Sequence, residues 1–435
     1  MVQRKRPFMN QHKSPPACQS WITWCLGVAF YFSGFFHRMV TAVMADQLMA
    51  DFKIGAAALG NFSSFYYYSY VAVQIPTGIL ADSWGPRKLL TAGTILASFG
   101  AFIFAASPSI YIANFGRLVI GASIGVAWVS ILKLSTRWFQ PSLFAVVTGL
   151  ALSLGIIGAL SAGVPLRLLL DFFGWRTVIF GVGTITLLLS LAIWTFVRDD
   201  PVEKGYISYA TDHAASANLS ILSDLAEVFR YRNTWILTIV PASLVGPLLA
   251  FTGLWGIPYL TTHYHLSPVK SATILSVLLV AWGLGGPVLG AFSEKIGGRK
   301  PIYFGALCIA LMGWIPVLFL QPMPLWLVIV LFGLIGVASS AIIINFAFIK
   351  ESVPPALTGS VTGVCNMGME MGPMILQPAI GWFLDFSWNG LSENGIRIYD
   401  LSAYHLAFVT MIGLSFLGIL IIPFARETHC QQLQE

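Results

Sequence analysis

The residues of this chain that could do chemistry are a few charged side chains inside long apolar stretches. Arg38, with His37 beside it, Arg117 and Glu370 each lie within such a stretch. A charge at the middle of a membrane costs at least about 2.5 kcal/mol, so it normally faces a water-filled cavity or a partner of opposite charge. Arginine binds carboxylates through two parallel hydrogen bonds, and a carboxyl group removed from water can take up a proton. The sequence therefore predicts an anion site that includes His37, Arg38 and Arg117, with Glu370 as a proton carrier.

Structural roles are the alternative for these charges. Arg38 lies close enough to the end of its apolar stretch for its side chain to extend to the membrane surface. Arg117 could brace the fold. Glu370 could instead form an Arg–Glu brace across the two halves of the chain.

Four polar side chains in one apolar stretch extend the predicted binding site. Tyr67, Tyr70 and Gln74 follow i, i+3 and i+7 spacing and so share one helical face, with Tyr66 on a neighbouring stripe. Aromatic residues at the membrane surface are the alternative. These residues reach the middle of the stretch, however, and hydroxyl groups at that depth suit hydrogen bonding to a polar solute.

A second apolar stretch places polar residues around a helix breaker. Asn366, Glu370 and Gln377 run along one face beside Gly372-Pro373. Interrupted helices near the membrane midplane are where transporters build binding sites. Asn366 and Gln377 are therefore predicted to bind the solute as well.

The elements that carry these residues are predicted to be twelve membrane-spanning helices. The chain is 57% hydrophobic and only 10% charged, whereas soluble domains carry about 25% charged residues. Runs of about 20 apolar residues lie at Trp21–Val43, Leu59–Ala81, Leu89–Ala106, Ile110–Leu132, Leu143–Val164, Trp175–Phe196, Trp235–Tyr259, Ala272–Phe292, Ile302–Phe319, Leu325–Ile349, Val361–Leu384 and Leu401–Phe424.

The predicted organisation is an N-terminal tail (1–20), a six-helix bundle (21–197), a linker (198–232), a second six-helix bundle (233–425) and a C-terminal tail (426–435). If both termini are cytoplasmic, seventeen of the 24 Lys and Arg residues lie on the cytoplasmic side, as the positive-inside rule requires. The tails and linker are then cytoplasmic.

The basic residues are scattered over short loops, which argues against nucleic-acid binding.

No motif for a cofactor, a metal or an enzymatic reaction is visible in the sequence. The five cysteines have no CxxC spacing and are expected to be free thiols. Without a P-loop or a hydrolase motif, any movement of a solute across the membrane would draw its energy from a gradient or from the solute itself. We expect no cofactor, no metal and no enzymatic activity.

A polar hinge occurs twice. Gly78, Asp82, Gly85, Arg87 and Lys88 are repeated 212 positions later as Gly290, Glu294, Gly297, Arg299 and Lys300. Each copy separates two apolar runs. A hinge duplicated at half-chain spacing indicates two related bundles in tandem.

The pattern Gly-x-x-x-Asp-x-x-Gly-x-Arg-Lys at Gly78–Lys88 resembles the signature loop of the major facilitator superfamily. The resemblance implies an all-α membrane fold of two six-helix bundles. It also implies that the hinge residues Gly78, Asp82, Gly85, Arg87, Lys88, Glu294 and Arg299 act as a conformational latch. Within the superfamily the chain is similar to bacterial organic-acid and anion uptake branches.

The predicted function is secondary transport by alternating access, as proton-coupled uptake in a bacterial inner membrane. Cavity arginines favour a carboxylate solute: an organic acid, an amino acid, a short peptide or a carboxylate siderophore. The expected partners are this solute, the lipid bilayer and a coupling proton or other ion, with the protein monomeric. Proton-driven efflux of drugs or metabolites is one alternative, and a non-transporting membrane sensor is another.

Overall fold

The computed structural model of the protein describes residues 13–210, 226–393 and 395–432. The predicted tails and linker 198–232 therefore lie partly outside the described residues. The main helices, numbered in chain order, are α1 (Ala17–Phe52), α2 (Ala56–Trp84), α3 (Pro86–Ala105), α4 (Ile110–Ile124), α5 (Ala127–Trp138), α6 (Phe144–Ser161), α7 (Val164–Phe196), α8 (Arg232–Ala250), α9 (Gly256–His263), α10 (Pro268–Ile296), α11 (Lys300–Phe319), α12 (Leu325–Ser339), α13 (Ile342–Glu351), α14 (Thr358–Phe386) and α15 (Leu401–Ile421). A π-helical turn, Phe251–Trp255, joins α8 to α9, and an antiparallel hairpin pairs β1 (Ser392–Glu393) with β2 (Ile396–Arg397).

These helices form one long segment for each predicted span. The pairs α4–α5, α8–α9 and α12–α13 each continue as a single segment. Within the described residues, ten segments are long and apolar enough to cross a membrane. The other two are α2 and α14, which have 29 residues each but carry the polar residues predicted to bind solute. The all-α membrane fold class is therefore confirmed.

Two glycines make the hinges between helices possible. Gly85 ends α2 with φ +83° immediately before Pro86 starts α3, and Gly297 ends α10 with φ +70°. Glycine adopts positive φ without the clash that a Cβ would cause. Each copy of the sequence repeat thus places a glycine with positive φ at its turn.

The two halves of the chain pack closely at one end. Gly60 of α2 lies directly on the backbone of Gln377, and Gly381 of α14 lies directly on the carbonyl group of Ala56, so neither position has room for a side chain. Small residues allow helix backbones to approach in this way within a membrane. We call this end, at the start of α2 and the end of α14, the closed end.

Glycines toward the opposite end make no such close contacts. A Cβ added at Gly78, Gly149, Gly359 or Gly363 would meet no described atom within 4 Å. These glycines lie toward the hinge, at the end where α1 begins and α15 finishes. The close contact between helix backbones at the closed end is therefore not repeated at these four glycines.

Candidate functional site

The centre of the candidate site is an ion pair between the two halves. Arg38 of α1 places Nη1 2.8 Å from Oε1 of Glu370 on α14, and both side chains are almost fully buried. Such a pair must recover the cost of removing two charges from water, and loss of either partner leaves the other uncompensated. The structure thus brings the predicted solute-binding arginine and the predicted proton carrier into contact between the two halves of the chain.

Aromatic rings surround the guanidinium group of Arg38. Its Cζ lies 4.6 Å from the ring centre of Phe35, 5.3 Å from Tyr70 and 5.9 Å from Tyr66. Tyr66 donates a hydrogen bond of 3.2 Å to the carbonyl group of Gly34. The faces of aromatic rings attract a cation. They therefore help to hold the guanidinium group, for which Glu370 supplies the negative charge.

Arg117 ties α4 to the first two helices. Its Nη1 donates to the carbonyl oxygen of His37 at 2.7 Å and its Nη2 to that of Ser63 at 3.4 Å. The Tyr66 ring lies 5.2 Å away, between Arg117 and Arg38. No carboxylate within the described residues pairs with Arg117. The guanidinium of Arg117 is thus held by backbone carbonyl groups of α1 and α2.

His37 enters this network through its backbone. Its side chain is buried, and neither ring nitrogen has a hydrogen-bond partner among the described residues. The structure therefore places His37 behind the ion pair and beside Arg117, as a carbonyl acceptor.

The remaining predicted binding residues converge on the same region. Asn366 donates to the hydroxyl group of Tyr70 at 3.3 Å, a second link between the halves. Tyr67, Gln74 and Gln377 are buried. The backbone oxygen of Gln377 accepts a hydrogen bond of 3.1 Å from the Trp255 ring.

Comparison with known proteins fixes the family. The model of the Major Facilitator Superfamily matches residues 26–363 and 248–429. The chain belongs to the major facilitator superfamily. It is therefore an integral, multi-pass membrane protein and a secondary transporter of a small solute, and it is not an enzyme.

Relatives in this superfamily are distant. The chain is 22% identical to the uncharacterized transporter YybO of Bacillus subtilis (strain 168), over 88% of this chain and 89% of YybO. It is 21% identical to the probable sulfoacetate transporter SauU of Cupriavidus necator, over 82% of this chain and 85% of SauU. A bacterial homolog to the human lysosomal transporter Spinster, solved in an inward-facing and unoccupied conformation, shares the fold with a TM-score of 0.72 at 16% identity, over 94% and 97% of the two chains.

In this major facilitator protein the first hinge is held by residues outside the repeat. The guanidinium of Arg87 donates to the carbonyl oxygen of Trp194 at 2.7 and 3.1 Å and stacks on its ring. Lys88 is exposed, and a Cβ added at Gly78 would meet no described atom within 4 Å. The side chain of Asp82 lies outside the described part of the structure, so the latch at this hinge stays a prediction.

The second hinge pairs its arginine with an acid that the repeat does not include. Arg299 forms a two-pronged hydrogen bond with Glu351 at the end of α13, with Nη2 at 2.7 Å and Nε at 3.1 Å from Oε1. Arg299 also donates to the hydroxyl group of Ser293 at 3.3 Å. Glu294 is thus not the acid that Arg299 binds in this state.

Sequence reasoning missed two acids that cap helices at the hinges. Asp199 accepts a hydrogen bond of 2.6 Å from the backbone N–H of Arg87, at the start of α3. Glu427 accepts from the backbone N–H groups of Arg299 and Lys300 at 2.9 and 2.8 Å, at the start of α11. A carboxylate at a helix N-terminus satisfies free N–H donors. The signal was an Arg-acid dipeptide directly after the last span of each half, at 198–199 and 426–427.

The described residues contain no cluster suited to a metal ion. No three His, Cys, Asp or Glu side chains are grouped as ligands in the described ranges. The five cysteines are free thiols.

Proposed function

We propose that this protein takes up a small, carboxylate-bearing organic solute together with a proton. The observation that carries the proposal is the buried ion pair between Arg38 and Glu370, which joins the two halves. An anion that binds Arg38 at this pair would also weaken a contact between the two halves, so that binding and movement are linked there.

A solute carboxylate and Glu370 would compete for the same guanidinium. Two carboxylates beside one arginine repel each other, and protonation of one of them removes this repulsion. The solute carboxylate binds Arg38 when Glu370 takes up a proton. Release of solute lets Glu370 lose the proton and pair with Arg38 again. Binding of the solute and the proton therefore favour each other, as symport requires.

Two further observations support an anionic solute. Arg117 adds a second buried positive charge near Arg38, and the tyrosine hydroxyls supply donors around it. The relative from Cupriavidus necator is named as a probable sulfoacetate transporter. The distribution of Lys and Arg follows the positive-inside rule if both termini are cytoplasmic, which supports this orientation in a bacterial inner membrane.

The test is a thermal-shift assay of the purified protein with acetate, succinate, gluconate and sulfoacetate. A ligand that binds the folded state raises its melting temperature. We expect at least one of these anions to stabilise the wild-type protein, and Arg38→Lys to lose the effect because lysine cannot reproduce the forked geometry. Stabilisation by cationic or neutral drug-like compounds, with no response to anions, would favour the efflux alternative and overturn the proposal.

A further inference from the structure

Two buried polar side chains meet beside Gly253 without hydrogen-bond partners. Gly253 lies in the π-helical turn between α8 and α9. The point that its missing Cβ would occupy is 3.2 Å from Nε2 of Gln377, 3.4 Å from the carbonyl oxygen of Arg38 and 3.7 Å from the hydroxyl oxygen of Tyr67. Gln377 and Tyr67 are completely buried. Neither the Gln377 amide group nor the Tyr67 hydroxyl has a partner within the described residues.

Burial of these groups costs free energy that packing alone does not explain. An unpaired amide or hydroxyl in the interior loses its hydrogen bonds to water and gains none, and native proteins pair nearly all such groups. Leucine and phenylalanine would fill similar space without the cost. The polar groups of Gln377 and Tyr67 therefore point to a use in a state of the transport cycle different from the one in this structure.

The position of these groups indicates which state that is. Tyr67 is on α2 and Gln377 is on α14, so they face each other across the contact between the halves at the closed end. When the halves separate there, both groups become available to solvent or solute. Trp255 binds the backbone oxygen of Gln377 and keeps this part of α14 next to the π-helical turn.

We propose that Tyr67, Gln377 and the space left by Gly253 form a second subsite, which binds a hydroxyl or amide group of the solute when the closed end opens. This subsite rests on the proposed function, because it adds a neutral contact to a carboxylate bound at Arg38. A group held between Tyr67 and Gln377 hydrogen-bonds both halves. Closure around a matching solute then leaves fewer unpaired polar groups than closure around a solute without that group.

The spacing of the two subsites describes the solute. Glu370 and Gln377 lie seven residues apart on one buried face of α14, or about 10 Å along the helix axis. The solute is accordingly an extended carboxylate with a hydroxyl or amide group near its far end. A simple fatty acid of the same length lacks the second contact.

The experiment compares gluconate with hexanoate, which have the same carbon chain with and without hydroxyl groups. Binding to the full-length protein is measured by thermal shift over a range of ligand concentration. For the wild-type protein we expect gluconate to bind at least about tenfold more tightly than hexanoate, as one or two hydrogen bonds allow. Gln377→Leu and Tyr67→Phe should remove this preference and retain the response to hexanoate.

Tyr68→Phe is the matched control, because it removes a hydroxyl one residue away that donates to Asn61 at 3.1 Å. It should retain the preference for gluconate. Gln377→Leu should also melt at or above the wild-type temperature without ligand, since it removes an unpaired buried amide; a structural role for Gln377 predicts a lower value. Equal binding of the two ligands by the wild-type protein, or a preference that survives in both variants, overturns the subsite alone. A wild-type protein that responds to neither ligand, nor to the other anions, overturns the proposed function as well.

Discussion

The carboxylate of Asp385, at the end of α14, caps the N-terminus of α2 by accepting a hydrogen bond of 3.1 Å from the backbone N–H of Ala56. The N–H of Ala57 donates to the other oxygen at 2.9 Å. Tyr399 and Arg397, beside the β-hairpin, donate to the same carboxylate at 2.6 and 3.0 Å. One acid of the second half thus fastens the closed end to the first half.

Asp385→Ala should shift the protein toward opening of the closed end. Loss of a cap typically costs about 0.5–2 kcal/mol, and one or two kcal/mol changes an equilibrium about five- to thirtyfold. Spin labels at the exposed positions Lys53 and Asn389, in a background without the exposed Cys18 and Cys25, should report a larger fraction of long distances. Trp388→Phe serves as the control, because it leaves Asp385 unchanged and keeps an aromatic ring against Arg397. An unchanged distance distribution would mean that Asp385 does not hold this end closed.

A charge exchange tests whether Arg38 and Glu370 are linked in the folded protein. Removal of one partner of a buried ion pair costs about 3–5 kcal/mol, so Arg38→Glu and Glu370→Arg should each lower the melting temperature by several degrees. The double variant should regain most of the lost melting temperature, because the ion pair is restored with its charges exchanged. It should still not bind solute, because the guanidinium group then projects from α14 instead of α1. Additive losses in the double variant would show that the two residues do not interact.

Arg299 and Glu351 should stabilise the second half in the same way, outside the membrane core. Glu351→Gln leaves Arg299 without its two-pronged partner, and we expect a lower melting temperature with solute affinity unchanged. Measurement of both quantities separates this role from solute binding. Glu294→Gln is the control and should have little effect, since Arg299 binds Glu351 in this structure. A larger effect of Glu294→Gln than of Glu351→Gln would contradict this assignment.

Glu427 predicts a specific dependence of stability on pH. Burial opposes ionisation of Glu427, but hydrogen bonds from the backbone N–H groups of Arg299, Lys300, Thr428 and His429 outweigh it and lower its pKa below the usual value of 4.5. An acid with a lowered pKa stabilises the folded state at neutral pH, and this contribution is lost as the pH falls below 4.5 through the lowered pKa. Glu427→Gln should therefore lower the melting temperature at pH 7 and have a smaller effect in strong acid. Equal losses at both pH values would rule out this cap as the cause.

The sequence was sufficient for the fold because its signals are local. Apolar length indicated each span, and the repeated glycines Gly85 and Gly297 indicated the two turns. Helix ends were less predictable: α1 runs from Ala17 to Phe52, beyond the predicted Trp21–Val43, because a helix continues past the apolar core.

The candidate site could be predicted only in part. Buried charges are costly wherever they occur, so Arg38, Arg117 and Glu370 were visible from the sequence alone. Their partners were not. Arg117 binds backbone carbonyl groups and Asp385 binds backbone N–H groups, and such partners leave no trace in residue types. The binding of Arg299 to Glu351 depends on how α10 and α13 pack, which the spacing of the repeat does not encode.

The most direct test of proton coupling is transport by Glu370→Gln in proteoliposomes, with the carboxylate that stabilises the wild-type protein most. The neutral amide resembles the protonated acid and cannot release a proton. We expect the variant to bind and exchange this solute at rates similar to wild type, and to show no accumulation driven by a pH gradient. If Glu370→Gln concentrates the solute as well as wild type does, Glu370 is a structural brace and the coupling proposed here is wrong.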